Sequence, residues 1–258
     1  MNISSINNIN DLLFKFAPIN LEQMDEVSFF KRIDTKYLFH QKYLIELLKE
    51  MPDNYRLLKI NGSGIQTYST TYYDTLKFDM YHQHHNGLRK RYKVRTRNYL
   101  NSNQFFLEVK VKNNKGITSK KRIEFDNPNS FQLQEDSNFL KKRTPFLPVN
   151  LTETLRNEFL RITLVNLNNP ERITIDWQLS YENLKNGSEI EMEHVCVLEI
   201  KRSLNTKNNV LDELLKKHQI HPGKFSKYCI GVAQLEPNLK NNRFKRVFHQ
   251  LRKKEIIN

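Results

Sequence analysis

Apolar residues recur along this chain with two different periods. Ile9, Leu12, Leu13 and Phe16 return at helical spacing, which predicts a helix over Ile6–Phe16. A second helix is predicted at Gln41–Met51, ended by Pro52. Between them KRIDTKYLF (Lys31–Phe39) alternates as a strand does. Further strands are predicted at Tyr55–Ile60, Gln66–Asp74, Leu88–Asn98, Gln104–Val111, Thr118–Phe125, Arg172–Tyr181 and Glu193–Lys201. Helical stretches are expected near Leu151–Leu160, interrupting the sheet, and at Val210–His218 and Lys224–Leu235. Gly62-Ser63-Gly64, Asn101-Ser102-Asn103 and Asn113-Asn114-Lys115-Gly116 are turn signals and predict antiparallel hairpins. With no internal repeat and no Pro/Gly-rich linker, residues 1–258 are expected to form one domain.

A strand sends alternate side chains to opposite faces, so the same alternation says which residues share a wall. Arg89, Arg91, Lys93, Arg95 and Arg97 fall on one face; Glu108, Lys110 and Lys112 share another, opposite Phe105, Leu107, Val109 and Val111. Lys120, Arg122 and Glu124 oppose Ile123 and Phe125. Arg32, Asp34 and Lys36 oppose Ile33, Tyr37 and Phe39. Arg172, Thr174 and Asp176 oppose Ile173, Ile175 and Trp177, while Glu199 and Lys201 oppose Leu198 and Ile200. On any one strand, such a face is simply a wetted surface. Across six strands, however, cations dominate and each acid stands beside a Lys or Arg. Like charges on neighbouring strands repel unless an anion lies between them. The expected fold is therefore α+β: a closed antiparallel barrel, basic inside, with helices packed outside.

Composition narrows the partner. Lys and Arg number 42 against 28 Asp and Glu, a formal net charge of +14, which calls for an anion: nucleic acid, acidic membrane or a phosphate-rich ligand. The 258 residues are 38% hydrophobic and include 16 Phe and 11 Tyr, enough for a sizeable core. Cys196 and Cys229 stand far apart, which fits a reducing compartment and excludes a zinc ribbon or disulfide framework. Neither a signal-peptide core nor a membrane-length apolar run is present, so a cytoplasmic location is expected. No GxxxxGK[ST] or GxGxxG occurs, so phosphate is not held by a Gly-rich loop. A binder of specific nucleic acid sequences would carry external patches, and the inward alternation disfavours it.

The order of motifs resembles the VTC domain, the polyphosphate polymerase module of the triphosphate tunnel metalloenzyme (CYTH-like) superfamily. The resemblance is carried by RIDTKY (Arg32–Tyr37), YYDT (Tyr72–Thr75), KVRTRNY (Lys93–Tyr99), FLEVK (Phe106–Lys110) and KKR (Lys120–Arg122). It continues through RITID (Arg172–Asp176), LEIK (Leu198–Lys201) and FSKY (Phe225–Tyr228). It implies a tunnel of about eight antiparallel strands, holding ATP and polyphosphate and assisted by a divalent metal, Mn²⁺ or Mg²⁺. By motif position it implies phosphate contacts from Lys36, Arg95, Arg97, Lys110, Lys120, Arg172, Lys201, Ser226 and Lys227. Lys201, Arg95, Arg97 and Lys110 are the residues it implies for catalysis. Glu199 matches the metal-binding glutamate, with Glu108 either a second ligand or a partner for Lys110. Arg32 is a neighbour of the site. Arg161 matches the arginine before RITID, although Phe159-Leu160-Arg161 departs from the usual Tyr–x–Arg. The implied reaction is transfer of the γ-phosphate of ATP to a polyphosphate chain; a triphosphatase and a non-catalytic polyphosphate sensor are the alternatives.

Two features stand apart. His82, His84 and His85 crowd one segment without the spacing of a metal site. Near the C-terminus (about residues 239–254), Phe244, Val247, Phe248 and Leu251 fall at i, i+3, i+4 and i+7, an amphipathic helix with a basic outer face. It either packs on the barrel or docks on an anionic membrane surface or membrane partner, the latter placing the protein peripherally at the inner face of a membrane.

Overall fold

A computed structural model describes residues 3–26, 32–51, 53–126, 133, 137–203 and 210–253. Lys31, Pro52 and Lys254, which bound elements expected from the sequence, lie outside them. The chain begins with α1 (Ile3–Leu13), β1 (Ala17–Ile19), α2 (Leu21–Glu26), β2 (Arg32–His40), α3 (Lys42–Glu50), β3 (Tyr55–Leu58) and β4 (Gln66–Asp74). Then come α4 (Asp79–His85), β5 (Arg91–Tyr99), β6 (Gln104–Lys112), β7 (Thr118–Phe125), α5 (Ser137–Lys141), β8 (Thr152–Asn166) and β9 (Glu171–Asn183). The last elements are β10 (Glu189–Met192), β11 (Val195–Ser203), α6 (Val210–Lys217), β12 (Pro222–Gly223), α7 (Lys227–Leu235) and α8 (Lys245–Lys253). No helix among the described residues is long and apolar enough to cross a membrane.

The strands form one 12-stranded sheet in the order β12-β2-β11-β9-β8-β4-β5-β6-β7. The expected closed barrel of about eight strands is corrected here: the sheet is open, since no pairing joins its end strands β12 and β7 among the described residues. Alternation fixes which side chains share a face but not whether the two ends meet. Here β12 covers β2 at only Tyr37 and Lys36, and Pro222 has no N–H to extend a ladder.

Two other expectations fail for physical reasons. Leu151–Leu160 is not a helix; it belongs to β8, fifteen residues long and paired on both sides. Leu151, Leu155 and Phe159 mimic a helical stripe because residues four apart share one face of a strand as they do of a helix. The Gly62 turn does not make a hairpin either. β3 and β4 both pair with β8, one after the other along the same edge, and Ile60 bridges Ser63 across the turn. The turns at Asn103 and Gly116, both at positive φ, do join paired strands.

Three cores position the sheet. On the outer face, Leu44, Leu47 and Leu48 of α3 and Leu211, Leu214 and Leu215 of α6 pack on Ile173, Ile175, Trp177, Leu198 and Ile200. Below this core, buried Glu171 accepts from the Tyr55 hydroxyl and from Arg202, which also holds Asp212 at 2.7 Å. A second outer core covers Tyr92, Val94, Leu107 and Val109 with Leu133 and Leu140.

The third core lies on the inner face and fills only one end of it. There α7 sets Tyr228, Cys229, Ile230 and Val232 against Leu155, Leu179, Tyr181 and Val197. Phe244, Phe248 and Leu251 pack into the same core, so the apolar side of the C-terminal helix rests on the protein while Lys245, Arg246 and His249 face outward. Gly231 permits the close approach of α7: a Cβ there would stand 2.5 Å from Tyr181 Cδ1 and 2.8 Å from a Leu155 methyl. Gly231→Ala is expected to destabilise the fold by about 1–3 kcal/mol through overpacking, seen as a lower urea midpoint at unchanged m-value.

Candidate functional site

Beyond the α7 plug the inner face is polar, a trough walled by β2, β11, β9, β8, β4, β5, β6 and β7. Registers place its cations side by side: Lys93 opposite Lys110, Arg95 opposite Glu108, Lys110 opposite Lys120, and Lys201 opposite Arg172. The walls curl toward each other at the N-terminus of α7. Lys93 on β5 donates to Ser226 Oγ at 2.8 Å, and the next residue, Lys227, pairs with Asp176 on β9. Ser226 is also the N-cap of α7, its hydroxyl accepting from the Cys229 amide at 3.3 Å.

Three carboxylates organise this lining, each bridging cations from two different elements. Glu108 takes Arg95 at 2.6 Å on one oxygen and Lys120 at 2.8 Å on the other. Asp176 takes Arg161 at 2.5 Å and also Lys227. Glu199 takes Lys36 at 2.5 Å and Lys201 at 3.5 Å. Burial opposes the charge on all three, but the flanking cations outweigh it and hold each carboxyl well below the usual range.

Cations still exceed these anions. Among the described residues Lys93, Arg97 and Lys110 form no ion pair. Burial, then the proximity of Lys93 and Arg95, depresses Lys110 to about 7; Glu199 and Lys36 on the opposite wall are also within its field. Burial likewise lowers Lys201 and Lys227 to about 8, against the pull of Glu199 and Asp176 respectively.

Every residue singled out from the sequence lies on these strands or at the start of α7. Lys36, Lys201, Glu199, Arg161, Lys227, Arg95, Lys120 and Glu108 are joined by the three bridges. Arg97 donates to Thr70 and lies over the Tyr68 ring, and Arg172 neighbours Lys201 on β9. Arg32 is exposed at the rim and pairs with Asp34 at 3.0 Å, outside the bridged set. Asp176 and Lys93 are central to the site yet were not singled out, although both stand in the alternating rows from which the others were read. Tyr72 lies in the inner core beside Arg95, its ring 5.0 Å from that of Tyr228, and Asp74 supports the site from behind. Asp74, fully buried, accepts from the Tyr228 hydroxyl and from the amides of Thr75, Met80 and Tyr81, which ties α4 to α7. His85 stacks on Tyr81 and accepts from the Arg243 amide, a packing role.

The donor set limits how a divalent metal fits. No cluster of three or more His, Cys, Asp or Glu able to hold a metal occurs among the described residues. Glu108 is 1% exposed with its oxygens held at 2.6 and 2.8 Å by cations; Glu199 also meets two cations, but it is 18% exposed and its Oε2 is only loosely held, 3.5 Å from Lys201. Glu199 therefore fits as a single protein donor for a metal whose remaining ligands are phosphate oxygens and water, as Mg²⁺ accepts.

The VTC domain family model matches residues 31–236. Among solved structures, the fold is similar to a Hippeastrum protein described as a "putative adenylyl cyclase" with a dominant triphosphatase activity. That pair shares 14% identity at a TM-score of 0.47, over 79% of this chain and 96% of that one. A Bacillus halodurans protein described as a "putative adenylate cyclase" aligns at 14% identity and TM-score 0.47, covering 76% and 94%. A Pyrococcus horikoshii protein aligns at 12% and 0.42, covering 78% and 99%. Comparison with curated proteins gives no match. The family match runs from the start of β2 through α7, over every strand and bridge that builds the trough, and the chain belongs to the VTC domain family.

Proposed function

We propose that the trough binds ATP and polyphosphate and transfers the γ-phosphoryl group of ATP to the chain end. One observation carries this: a concave lining in which Lys93, Arg97 and Lys110 form no ion pair among the described residues, so that cations remain in excess over Glu108, Asp176 and Glu199. Such a lining favours a bound polyanion over an empty state.

Phosphoryl transfer demands positioning and charge cancellation more than covalent help. Arg95 and Arg161, held by Glu108 and Asp176, present planar forks to non-bridging oxygens. Lys36, Lys201 and Lys227 add compact charges on the opposite wall. In the transfer the bond from the γ-phosphorus to the β,γ-bridging oxygen breaks, and a terminal oxygen of the polyphosphate forms the new P–O bond. ADP leaves with the electron pair of the broken bond. Glu199 would hold a divalent metal, which would supply charge neutralisation on phosphate oxygens.

Incubation of the purified protein with ATP and Mn²⁺, followed by gel separation, is expected to give polyphosphate chains. Release of orthophosphate alone would instead identify a triphosphatase, and binding without turnover a sensor. Lys201→Ala is expected to lower kcat by roughly 100- to 1000-fold, the usual loss for a group aligned on developing charge. Its folding should be unaffected, since the ion pair lost is the long one at 3.5 Å.

Binding should also take up protons. The free-state values, about 7 for Lys110 and about 8 for Lys201 and Lys227, rise when a polyanion lies beside them. Well below pH 7 these lysines are charged in both states and their contribution to affinity is flat. Above it the free state is deprotonated first, so tripolyphosphate affinity falls as pH rises from 7 to 9. Calorimetry in buffers of differing ionisation heat is expected to show net proton uptake at pH 8; its absence would contradict the lowered lysines.

A further inference from the structure

The mouth of the trough opposite the α7 plug is aromatic as well as basic. On β6, Phe106 shares the inner face with Glu108 and Lys110, and Tyr99 on β5 meets it edge-on at 5.5 Å. Tyr99 also packs on Tyr68 at 5.0 Å, and Tyr68 stacks on Phe159 at 5.1 Å. These rings are already used by cations from inside: Arg97 and Arg161 lie over Tyr68, and Lys227 over Phe159. Arg122 differs. Its guanidinium stands 4.2 Å from the centre of the Phe106 ring, the residue is exposed, and it makes no ion pair among the described residues.

We propose that Arg122, backed by Phe106 and Tyr99, is the stacking platform for the base of a nucleoside triphosphate whose phosphates lie in the trough. This rests on the polyanion-binding function proposed above and adds the position of the nucleoside. A guanidinium held against a ring offers its second face to a planar base, and bases stack on arginine planes as on aromatic rings. Hydrogen-bonding groups border the platform. Gln104 donates to Glu124 at 3.2 Å and accepts from Ser102 at 3.1 Å, and Glu124 is exposed beside Arg122 on the same strand face. The carboxylate of Glu124 suits an exocyclic amine on the base edge.

Distance along the strand supports the placement. Phe106 and Lys110 are four residues apart on β6, about 13 Å at the rise of a strand, with the Arg95–Glu108 bridge between them. An extended nucleoside triphosphate spans such a separation from base to terminal phosphate. The nucleoside would then sit at the open mouth and the transferred phosphate beside Lys110.

The test compares ATP with inorganic triphosphate, which has the phosphates but no base. Both are titrated into the full chain and into Arg122→Lys by calorimetry, with metal chelated to stop turnover. Lysine keeps the charge and loses the plane. The expected result is roughly tenfold weaker ATP binding with inorganic triphosphate unchanged. Hypochromism of the ATP absorbance on binding should be present in the native chain and reduced in the variant. If the variant binds both ligands as the native chain does, or loses both equally, the platform is wrong while the basic trough stands. If the native chain binds neither ligand, the phosphate-binding function fails and the platform with it.

Discussion

Like charges forced together within one concave wall set the terms for the rest of this structure. Seven strands present Lys and Arg to a shared interior, and their repulsion would splay the sheet if nothing balanced it. Glu108, Asp176 and Glu199 do so pairwise, each holding cations from two elements: β5 with β7, β8 with α7, and β2 with β11. Breaking one side of such a buried bridge typically costs about 3–5 kcal/mol because the remaining charge is stranded. The carboxylates thus fix the directions of the cations while leaving the net charge of the wall strongly positive. The same arrangement that holds the fold prepares it for a polyanion.

The second requirement is a lid on one end, supplied by α7. Its apolar side is driven into the inner core, and Gly231 lets it sit against Tyr181 and Leu155. Its first turn then necessarily projects Ser226 and Lys227 toward the polar part of the trough. Asp74 secures this from behind by holding Tyr228 and the first amides of α4. Hydrophobic packing and site assembly therefore meet in one short helix.

Much of this was legible from the chain. The alternation in β5, β6, β7 and β11 identified the inner rows correctly because each of those strands has one apolar and one charged face. Motif order identified the family. β8 was misread because its buried Leu155 and Phe159 stand four residues apart, a spacing that keeps side chains on one face of a strand and of a helix alike. Closure of the sheet was also beyond reach: it depends on the coverage of β2 by a two-residue strand. Asp176 was visible in its row, but its role became clear only when α7 brought Lys227 to it.

The strand β9 carries a feature whose effect reaches across the whole interior. Up to Asp176, even-numbered residues (Arg172, Thr174 and Asp176) face inward, whereas beyond it Leu179 and Tyr181 do. Gln178, at φ 51°, is the extra residue between the Glu158–Ser180 and Leu160–Trp177 pairs. A single inserted position thus acts as a frame shift within a folded strand. It lets one ribbon be wet along half its inner edge and dry along the other, with no break in the sheet. Every side chain after it depends on that one-residue offset, so the boundary between ligand chamber and core is set by counting residues rather than by any contact at the boundary.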